Sequence, residues 1–221
     1  MREALAAQLA AGCAALKLSD DPQRVPQLLR YIDELLRWNQ QTNLTAITAP
    51  QEIVTKHLLD CLAALPRPLP ARVCDVGSGA GLPGLLWARE APDRIVVSVD
   101  ARRRKADFQA HMGRVWGLTQ FTALHARVED VSDRFDLICF RAFAALPKAL
   151  DLVAHLLAPD GQVLALKGPG VETELAALDA RRWRYTMTPL AVPGLDAQRC
   201  IVTVQPLSAA PREPSRPGAR S

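Results

Sequence analysis

The sequence predicts an α/β protein built on a mostly parallel, doubly wound sheet, with a helical appendage before the sheet and an antiparallel hairpin after it. After residue 70, short apolar runs alternate with helix-length segments, which is typical of parallel strands joined by crossover helices. A glycine-rich turn follows the first apolar run, and such a turn between a strand and a helix leaves the backbone open to a ligand. No strand pattern interrupts the residues before 70.

The first part of the chain is predicted to be helical. Apolar side chains recur at spacings of three and four from Pro26 to Gln40, and again after Pro50. Prolines at 66–70 then stiffen a connector, because proline fixes its own φ and disfavours helix in the residue before it. We therefore expect a helical appendage at residues 1–70 and a main domain at residues 71–207.

Seven apolar runs predict the strands of the sheet. They are Val73–Val76, Ile95–Val99, Phe121–Leu124, Phe135–Phe140 and Val163–Leu166, followed by Tyr185–Val192 and Cys200–Val204. A Pro193-Gly194 turn joins the last two runs and predicts a closing antiparallel hairpin. Residues 208–221 combine charged residues with Pro, Ser, Gly and Ala, a composition that predicts disorder.

Composition predicts a globular protein of the cytoplasm. Of the 221 residues 49% are hydrophobic, enough for a full core, but no run approaches the roughly 18 apolar residues of a membrane span. The five cysteines are scattered without a C-x-x-C pair, which predicts buried thiols and no metal site. The formal charge of +4 permits a polyanionic partner without demanding one. A monomer with no membrane partner is the expectation.

The segment from Asp75 to Gly84 predicts a nucleotide-like cofactor. It reads Asp-Val-Gly-Ser-Gly-Ala-Gly-Leu-Pro-Gly, so Gly79, Gly81 and Gly84 fit the G-x-G-x-x-G pattern of dinucleotide binding. Asp100 ends the second predicted strand, at about the right distance to accept hydrogen bonds from a ribose diol. Both features serve NAD and S-adenosylmethionine alike.

Two residues favour S-adenosylmethionine over a dinucleotide. A carboxylate at Asp75 would lie badly beside a pyrophosphate but well near a sulfonium and an ammonium group. Pro83, at the predicted helix start, lacks an N–H group that could donate to a phosphate. An NAD-dependent oxidoreductase remains an alternative at this point, and so does a non-catalytic RNA-binding module.

Charged residues also follow the later strands. Glu129 is placed to meet an adenine amino group, although a solvated turn or a helix cap explains it equally well. Arg141 ends the fourth strand, where it suits a cofactor carboxylate or a substrate phosphate. The alternative is a buried salt bridge of Arg141 with Asp75 or Glu129. Lys167 follows the fifth strand and adds a cation at the same edge of the sheet.

Two basic features have more than one explanation. Arg102–Lys105 opens a predicted helix, where cations oppose the helix dipole. A polyanionic partner explains that cost, and an exposed basic turn explains the pattern equally well. His57 lies among apolar neighbours on a predicted helix, which is more typical of a packed histidine than of a catalyst.

Several motifs together resemble the glucose-inhibited division protein B family of bacterial small-subunit ribosomal RNA guanine-N7 methyltransferases. The motifs are Trp38-Asn39 with Thr42 to Ile47, His57 to Asp60, Asp75 to Gly84, Arg141 to Ala144, and Lys167-Gly168. The glycine segment with its Leu-Pro-Gly end, joined to Arg-Ala-Phe-Ala, is specific in combination. Either motif alone would be weak.

The resemblance implies a class I, Rossmann-like methyltransferase that uses S-adenosylmethionine. It implies methylation at N7 of a guanine in the decoding region of 16S rRNA, free or within the small ribosomal subunit. For such a reaction we hypothesise that Arg141 and Lys167 hold cofactor or RNA phosphate near the transfer site, and that Asn43 helps to define the target pocket between the appendage and the sheet. The cofactor-binding residues that we expect are Gly77, Gly79, Leu82, Asp100, Val128, Glu129 and Arg141.

Overall fold

Helices form the first part of the chain. The computed structural model of the protein describes residues 2–207, and the predicted disorder of residues 208–221 concerns a segment outside them. The helices are α1 (Arg2–Ala15), α2 (Arg24–Thr42), α3 (Pro50–Ile53) and, after a π-helical turn at Val54–Leu59, α4 (Asp60–Ala63). The predicted helical character of this region is confirmed.

The described strands form one mixed sheet. They are β1 (Arg72–Val76), β2 (Ile95–Asp100), β3 (Phe121–His125), β4 (Phe135–Arg141), β5 (Leu157–Lys167), β6 (Trp183–Pro189) and β7 (Cys200–Pro206). Their order is β3-β2-β1-β4-β5-β7-β6. The first five strands pair in parallel, and β7 is antiparallel to both β5 and β6. The predicted fold class, a mostly parallel sheet with a C-terminal antiparallel hairpin, is confirmed.

Helices cover both faces of the sheet. Those between the strands are α5 (Gly84–Glu90), α6 (Arg103–Val115), α7 (Leu146–Val153) and α8 (Val171–Ala176). Side chains alternate along a strand, so the successive β4 residues Leu137 and Ile138 lie in two different core layers, one on each face of the sheet. The fully buried Leu9 and Leu28 join the Leu137 layer, so α1 and α2 pack against the sheet on the same side as α5 and α6.

Two strand boundaries differ from the prediction by three residues or more, and the others differ by two at most. β5 begins at Leu157, well before Val163, because Leu157 already pairs with Phe135 and the register then shifts before Gln162 pairs with Leu137. β6 ends at Pro189 rather than at residue 192, because its antiparallel register places Pro189 opposite the first residue of β7. In both cases the partner strand decides where the pairing begins or ends.

Three of the sequence expectations concern membranes, metals and thiols. Among residues 2–207, no helix is both long enough and apolar enough to cross a membrane. In the same part of the chain, no three His, Cys, Asp or Glu side chains are grouped as metal ligands would be. The five cysteines are buried free thiols, as predicted. Burial raises the pKa of the Cys61 thiol to about 12, which makes it a poor nucleophile.

Candidate active site

The carboxyl ends of the parallel strands meet at one edge of the sheet. Gly77 follows β1, Asp100 ends β2, Arg141 ends β4 and Lys167 ends β5. The strand order reverses between β1 and β4, and open α/β sheets bind ligands in the crevice outside such a reversal. The topology therefore brings these four predicted site residues to one crevice.

The glycine turn, residues 77–84, uses most of its own N–H groups. Gly77 and Ser78 donate theirs to the Val99 carbonyl at 2.8 and 3.3 Å. Further along the turn, two N–H groups donate to the Ser78 carbonyl and two donate to the carboxylates of Asp75 and Asp100. The turn therefore does not present the cradle of free N–H groups on which a phosphate would lie.

Asp75 lies beneath the glycine turn. Its side chain is fully buried, and Oδ2 accepts a hydrogen bond of 2.8 Å from the N–H of Gly84, the first residue of α5. Oδ1 has no hydrogen-bond partner within residues 2–207. Burial raises the pKa of this carboxyl to about 7. The structure therefore corrects the expectation that the Asp75 carboxylate faces a ligand, because the side chain holds the start of α5 instead.

Asp100 lies on the other side of the turn. Its Oδ2 accepts from the Gly79 N–H and its Oδ1 from the Arg102 N–H, both at 2.9 Å. Each carboxylate oxygen has a second lone pair that can still accept from a ribose diol. The space above Gly79 is open, since a Cβ built there would have only Lys105 Nζ at 3.8 Å and the Gly77 carbonyl at 3.9 Å within contact distance. The role of Asp100 stays a prediction that this geometry allows.

The ring of Phe143 covers Gly77. A Cβ built on Gly77 would lie 2.5 Å from Phe143 Cδ2, so only glycine fits, and its φ of +66° also favours glycine. The residue before the ring, Ala142, has a φ of +53° although it carries a side chain. Backbone strain of this kind is concentrated at functional sites. Phe143 also packs against Phe140, with ring centroids 6.0 Å apart. An aromatic face therefore lies directly beside the glycine turn.

Arg141 reaches from β4 to the N-terminal helices. Nη1 donates to the Lys56 carbonyl at 2.9 Å and to Asp60 Oδ2 at 3.3 Å, and Nη2 donates to His57 Nδ1 at 3.3 Å. A guanidinium carries five N–H donors. The Nε–H and one Nη2–H of Arg141 have no acceptor within the described residues, so two donors remain for a carboxylate or a phosphate.

Asp60 bridges two arginines. This buried carboxylate meets Arg141 through Oδ2 and accepts from Arg199 Nε through Oδ1 at 3.1 Å. Arg141 therefore does form a salt bridge, but its partner is Asp60 and not Asp75 or Glu129, as the predicted alternative had it. Two arginines against one carboxylate leave a net positive charge at the tip of β4, which favours an anionic group on a ligand.

His57 is a neutral link between Arg141 and Thr45. Nδ1 lies 3.3 Å from Arg141 Nη2 and 3.1 Å from the Lys56 carbonyl oxygen. Because an arginine can only donate, we assign Nδ1 as the acceptor, so that Nε2–H donates to Thr45 Oγ1 at 2.8 Å. Burial, and then the charge of Arg141, lowers the pKa of the imidazole to about 4. Asn39 fixes Thr45 in turn, because its side-chain amide bonds both the N–H and the carbonyl of Thr45 at 2.9 Å. His57 is a packed histidine, as the sequence predicted.

Lys167 is engaged in an ion pair. Its Nζ lies 2.7 Å from Glu174 Oε2 on α8 and also donates to the Ala144 carbonyl at 3.3 Å. The charge of the ammonium group is therefore compensated, and one of its three N–H donors is left. That Lys167 holds a phosphate stays a prediction, and it would require this ion pair to open.

The remaining predicted residues have different surroundings. Asn43 ends α2 in the left-handed conformation, with a φ of +48° and an exposed side chain. Leu82 and Val128 are buried. Glu129 is exposed in a short 3-10 turn, and its carboxylate has no hydrogen bond within the described chain. A buried apolar residue next to an exposed carboxylate can meet the ring and the amino group of an adenine, so these roles stay predictions that the structure allows.

Sequence reasoning assigned no role to Phe143 or Arg199. The available signal for Phe143 is an aromatic residue directly after a strand end that carries a charged site residue. Arg199 is 139 positions away from its partner Asp60, and no local pattern indicates that pair. The contacts of Phe143 with Gly77 and of Arg199 with Asp60 are formed only in the folded chain.

Comparison with known proteins finds relatives over most of the chain. A family model described as rRNA small subunit methyltransferase G matches residues 24–202. A ribosomal RNA small subunit methyltransferase G from Methylibium petroleiphilum is 44% identical over 207 residues, covering 90% of this chain and 94% of that protein. The protein of the same name from Azoarcus sp. is 42% identical over 203 residues, covering 90% of this chain and 95% of the relative.

Solved structures share the fold at low sequence identity. A putative O-methyltransferase from Klebsiella pneumoniae superposes with a TM-score of 0.57 at 17% identity, covering 90% of this chain and 97% of that one. A ribosomal protein L11 methylase from Lactobacillus delbrueckii subsp. bulgaricus gives a TM-score of 0.52 at 18% identity, covering 67% of this chain and 76% of that one. These likenesses concern the fold alone.

Proposed function

The chain belongs to the rRNA small subunit methyltransferase G family, and from that premise we propose that it transfers a methyl group from S-adenosylmethionine to N7 of a guanine in the decoding region of 16S rRNA. Membership of the family makes it an rRNA methyltransferase. The base, the ring nitrogen and the region of the RNA are part of the proposal. Its partner would be 16S rRNA, free or within the small ribosomal subunit, and its place of action the cytoplasm.

The observation that carries the cofactor assignment is the inward direction of the N–H groups in the glycine turn. Gly79 and Gly84 donate to the carboxylates of Asp100 and Asp75 at 2.9 and 2.8 Å. A pyrophosphate would find few free donors there and two carboxylates nearby. S-adenosylmethionine carries no phosphate, so the turn favours it over NAD.

The crevice residues fit S-adenosylmethionine at each end of the molecule. The two unpaired N–H groups of Arg141 suit its carboxylate. The free lone pairs of Asp100 suit the ribose diol, and Glu129 beside the buried Val128 suits the adenine. The open space above Gly79 gives room for the ligand between these groups. When bound, the donor supplies an electrophilic methyl group on a positively charged sulfur.

Attack by guanine N7 needs no general base, because the lone pair lies in the ring plane and the atom carries no proton. The titratable groups near the crevice agree with such chemistry. His57 is neutral, with both ring nitrogens bonded, and Asp75 is buried beneath the turn. The task of the protein is then to align the nitrogen, the methyl carbon and the sulfur, which supplies a high effective concentration.

We place the target guanine between the N-terminal helices and the tip of β4. Asn43, exposed at the end of α2, would help to define that pocket, and the ring of Phe143 offers a face on which a base can stack. Arg141 would hold the cofactor or an RNA phosphate next to this position. Lys167 would join it if its pairing with Glu174 opened.

Ligand binding discriminates between the candidate functions. A ligand at 100 times its Kd stabilises a protein by about 2.7 kcal/mol, so S-adenosylmethionine or S-adenosylhomocysteine should raise Tm and NAD(H) should not. Protection by NAD(H) alone would contradict the proposal. A non-catalytic RNA-binding module would bind 16S rRNA but would show no binding of labelled S-adenosylmethionine in equilibrium dialysis.

A further inference from the structure

Four consecutive cations, Arg102 to Lys105, lie at the beginning of α6, and we call them the basic ridge. Resting on the proposed function, we propose that the basic ridge binds the phosphate backbone of the RNA next to the target guanine. The proposal names the surface that brings the substrate to the crevice. The basic ridge contains none of the residues that we assign to the cofactor, and Lys105 is the ridge residue that lies beside one of them, Gly79.

The charge of the basic ridge is almost uncompensated. Arg103 lies 3.8 Å from Asp107, and both side chains are more than half exposed, so that pair is weak. Among the described residues, the side chain of Arg104 donates only to a neutral acceptor, the Gln41 carbonyl at 3.2 Å. The side chains of Arg102 and Lys105 have neither an ion pair nor a hydrogen bond within residues 2–207. The basic ridge therefore presents its positive charge to solvent.

Two contacts place the basic ridge at the mouth of the crevice. Lys105 Nζ lies 3.8 Å from the position of a Cβ on Gly79, at the open part of the glycine turn. Arg104 contacts Gln41, two residues before Asn43 and the proposed target pocket. The cations therefore line the mouth from the cofactor turn to the end of α2, which is where RNA would have to pass to present a base.

The residues at the start of α6 are unfavourable for the stability of the helix itself. α6 has no acidic residue in its first turn, and its N-cap residue, Arg102, makes no side-chain capping bond. Cations at a helix N-terminus oppose the helix dipole. α8, by contrast, has Glu172 and Glu174 in its first turn. α2, α5 and α7 also begin without an acidic residue, so it is the run of cations at the start of α6 that distinguishes this helix. A bound phosphate would offset the cost of those cations.

RNA phosphates are the ligand that this chemistry fits. Contacts to phosphate fix the register and orientation of a nucleic acid, and they make its binding depend on salt. The basic ridge should therefore act on the affinity for RNA and leave the methyl-transfer step alone. In kinetic terms it should set KM for rRNA rather than kcat.

The test compares two double variants that remove the same charge. R102Q/K105Q removes the two ridge cations that lack a partner. R114Q/R181Q removes two exposed cations elsewhere. Arg114 lies in the last turn of the same helix, roughly 14 to 18 Å from the ridge residues by the rise of an α-helix. Arg181 precedes β6, at the edge of the sheet opposite the crevice. Filter binding to protein-free 16S rRNA over a range of KCl concentrations gives the salt dependence of affinity for each protein.

The basic ridge predicts a specific result. R102Q/K105Q should bind rRNA more weakly, and the slope of log K against log salt should become shallower by about 0.7 to 0.9 for each phosphate that the variant no longer neutralises. Its KM for rRNA should rise several-fold, while kcat and the Kd for S-adenosylmethionine keep their wild-type values. Its Tm should be equal or higher, because the cations oppose the dipole. R114Q/R181Q should behave as wild type.

Three outcomes would overturn the inference. The first is a wild-type salt slope and KM in R102Q/K105Q. The second is an equal loss of affinity in R114Q/R181Q, which would mean that only net charge matters. The third is a weakened Kd for S-adenosylmethionine in R102Q/K105Q, which would assign Lys105 to the cofactor. Failure of the proposed function is distinguishable, because the wild-type protein would then not methylate rRNA at all, whereas the salt slopes need no catalysis.

Discussion

Phe143 lies against the backbone of Gly77, so the residue that follows β1 and an aromatic residue just after β4 form one contact at the crevice. A Cβ on Gly77 would come within 2.5 Å of the ring, and the backbone there already has a positive φ. This contact joins the turn that we assign to the cofactor to the strand tip that we assign to the target base. A side chain at residue 77 would disturb both.

Gly77→Ala should therefore damage donor binding. The added methyl group must displace Phe143 and also occupy an unfavourable φ, which costs about 1–3 kcal/mol of stability. The Kd for S-adenosylmethionine, measured by calorimetry, should rise about tenfold or more, or about 1.4 kcal/mol. Gly117→Ala is the matched control, because Gly117 has a φ of +64° but nothing within contact distance of its Cβ position. It should lose stability and keep donor affinity, and equal donor affinity in both variants would contradict the account.

Arg141→Ala should abolish methylation while the protein stays folded. The variant loses the two N–H groups that we assign to the ligand, and it loses the hydrogen bonds to His57 Nδ1 and to the Lys56 carbonyl, each worth about 1 kcal/mol. Asp60 keeps its pairing with Arg199. Arg199→Ala removes the other arginine of Asp60 and should retain donor binding in equilibrium dialysis. Unchanged methylation by the Arg141 variant would refute the role of Arg141.

His57 predicts that stability falls in mild acid. Its pKa in the folded protein is about 4, below its usual value of 6.5, so the unfolded chain binds the extra proton between these pH values. The contribution is fully present above about pH 6.5 and is lost toward about pH 4, at up to about 1.4 kcal/mol per pH unit. Urea unfolding at about pH 7.5 and about pH 5 should show a larger loss for wild type than for His57→Gln. Identical pH profiles would show that His57 is not buried beside Arg141.

Asp75 predicts a dependence of stability on pH that is opposite in sign to that of His57. Its pKa in the folded protein is about 7, above the usual 3.8, so the folded chain keeps a proton that the unfolded chain has lost. Its contribution is present below about pH 4 and is lost as the pH rises through about 7. Asp75→Asn keeps an acceptor for the Gly84 N–H and cannot ionise. Relative to wild type, its free energy of unfolding should increase between about pH 5 and about pH 8, and a constant difference would contradict the raised pKa.

Much of the fold could be predicted because its parallel strands are short apolar runs bounded by turn residues. The ends of β1 to β4 lie within one residue of those expected from Val73, Ile95, Phe121 and Phe135. β5 and β6 could not be placed as well, because pairing with a neighbouring strand decides their ends. Leu157 pairs with Phe135 before a register shift in β5. The segment after Leu157 contains Pro159 and Gly161, a composition that is typical of a turn.

The site could be predicted as a set of positions but not as a set of contacts. Asp100, Arg141 and Lys167 had to lie at one edge, because the carboxyl ends of parallel strands meet there. The acid that Arg141 meets depends on how α4 packs against the tip of β4, which no local pattern shows. The direction of Asp75 depends on the unpaired N–H at the start of α5, a need that only the folded turn reveals.

The most direct test is a map of modified guanines in 16S rRNA. Protein-free rRNA and small subunits would be incubated with the protein and S-adenosylmethionine, then digested for mass mapping and probed by primer extension, with Arg141→Ala as the inactive control. We predict N7-methylguanine at a guanine of the decoding region in at least one of the two substrates, and none with the control. The absence of N7-methylguanine from both substrates, or methylation of another atom, would contradict the proposed function.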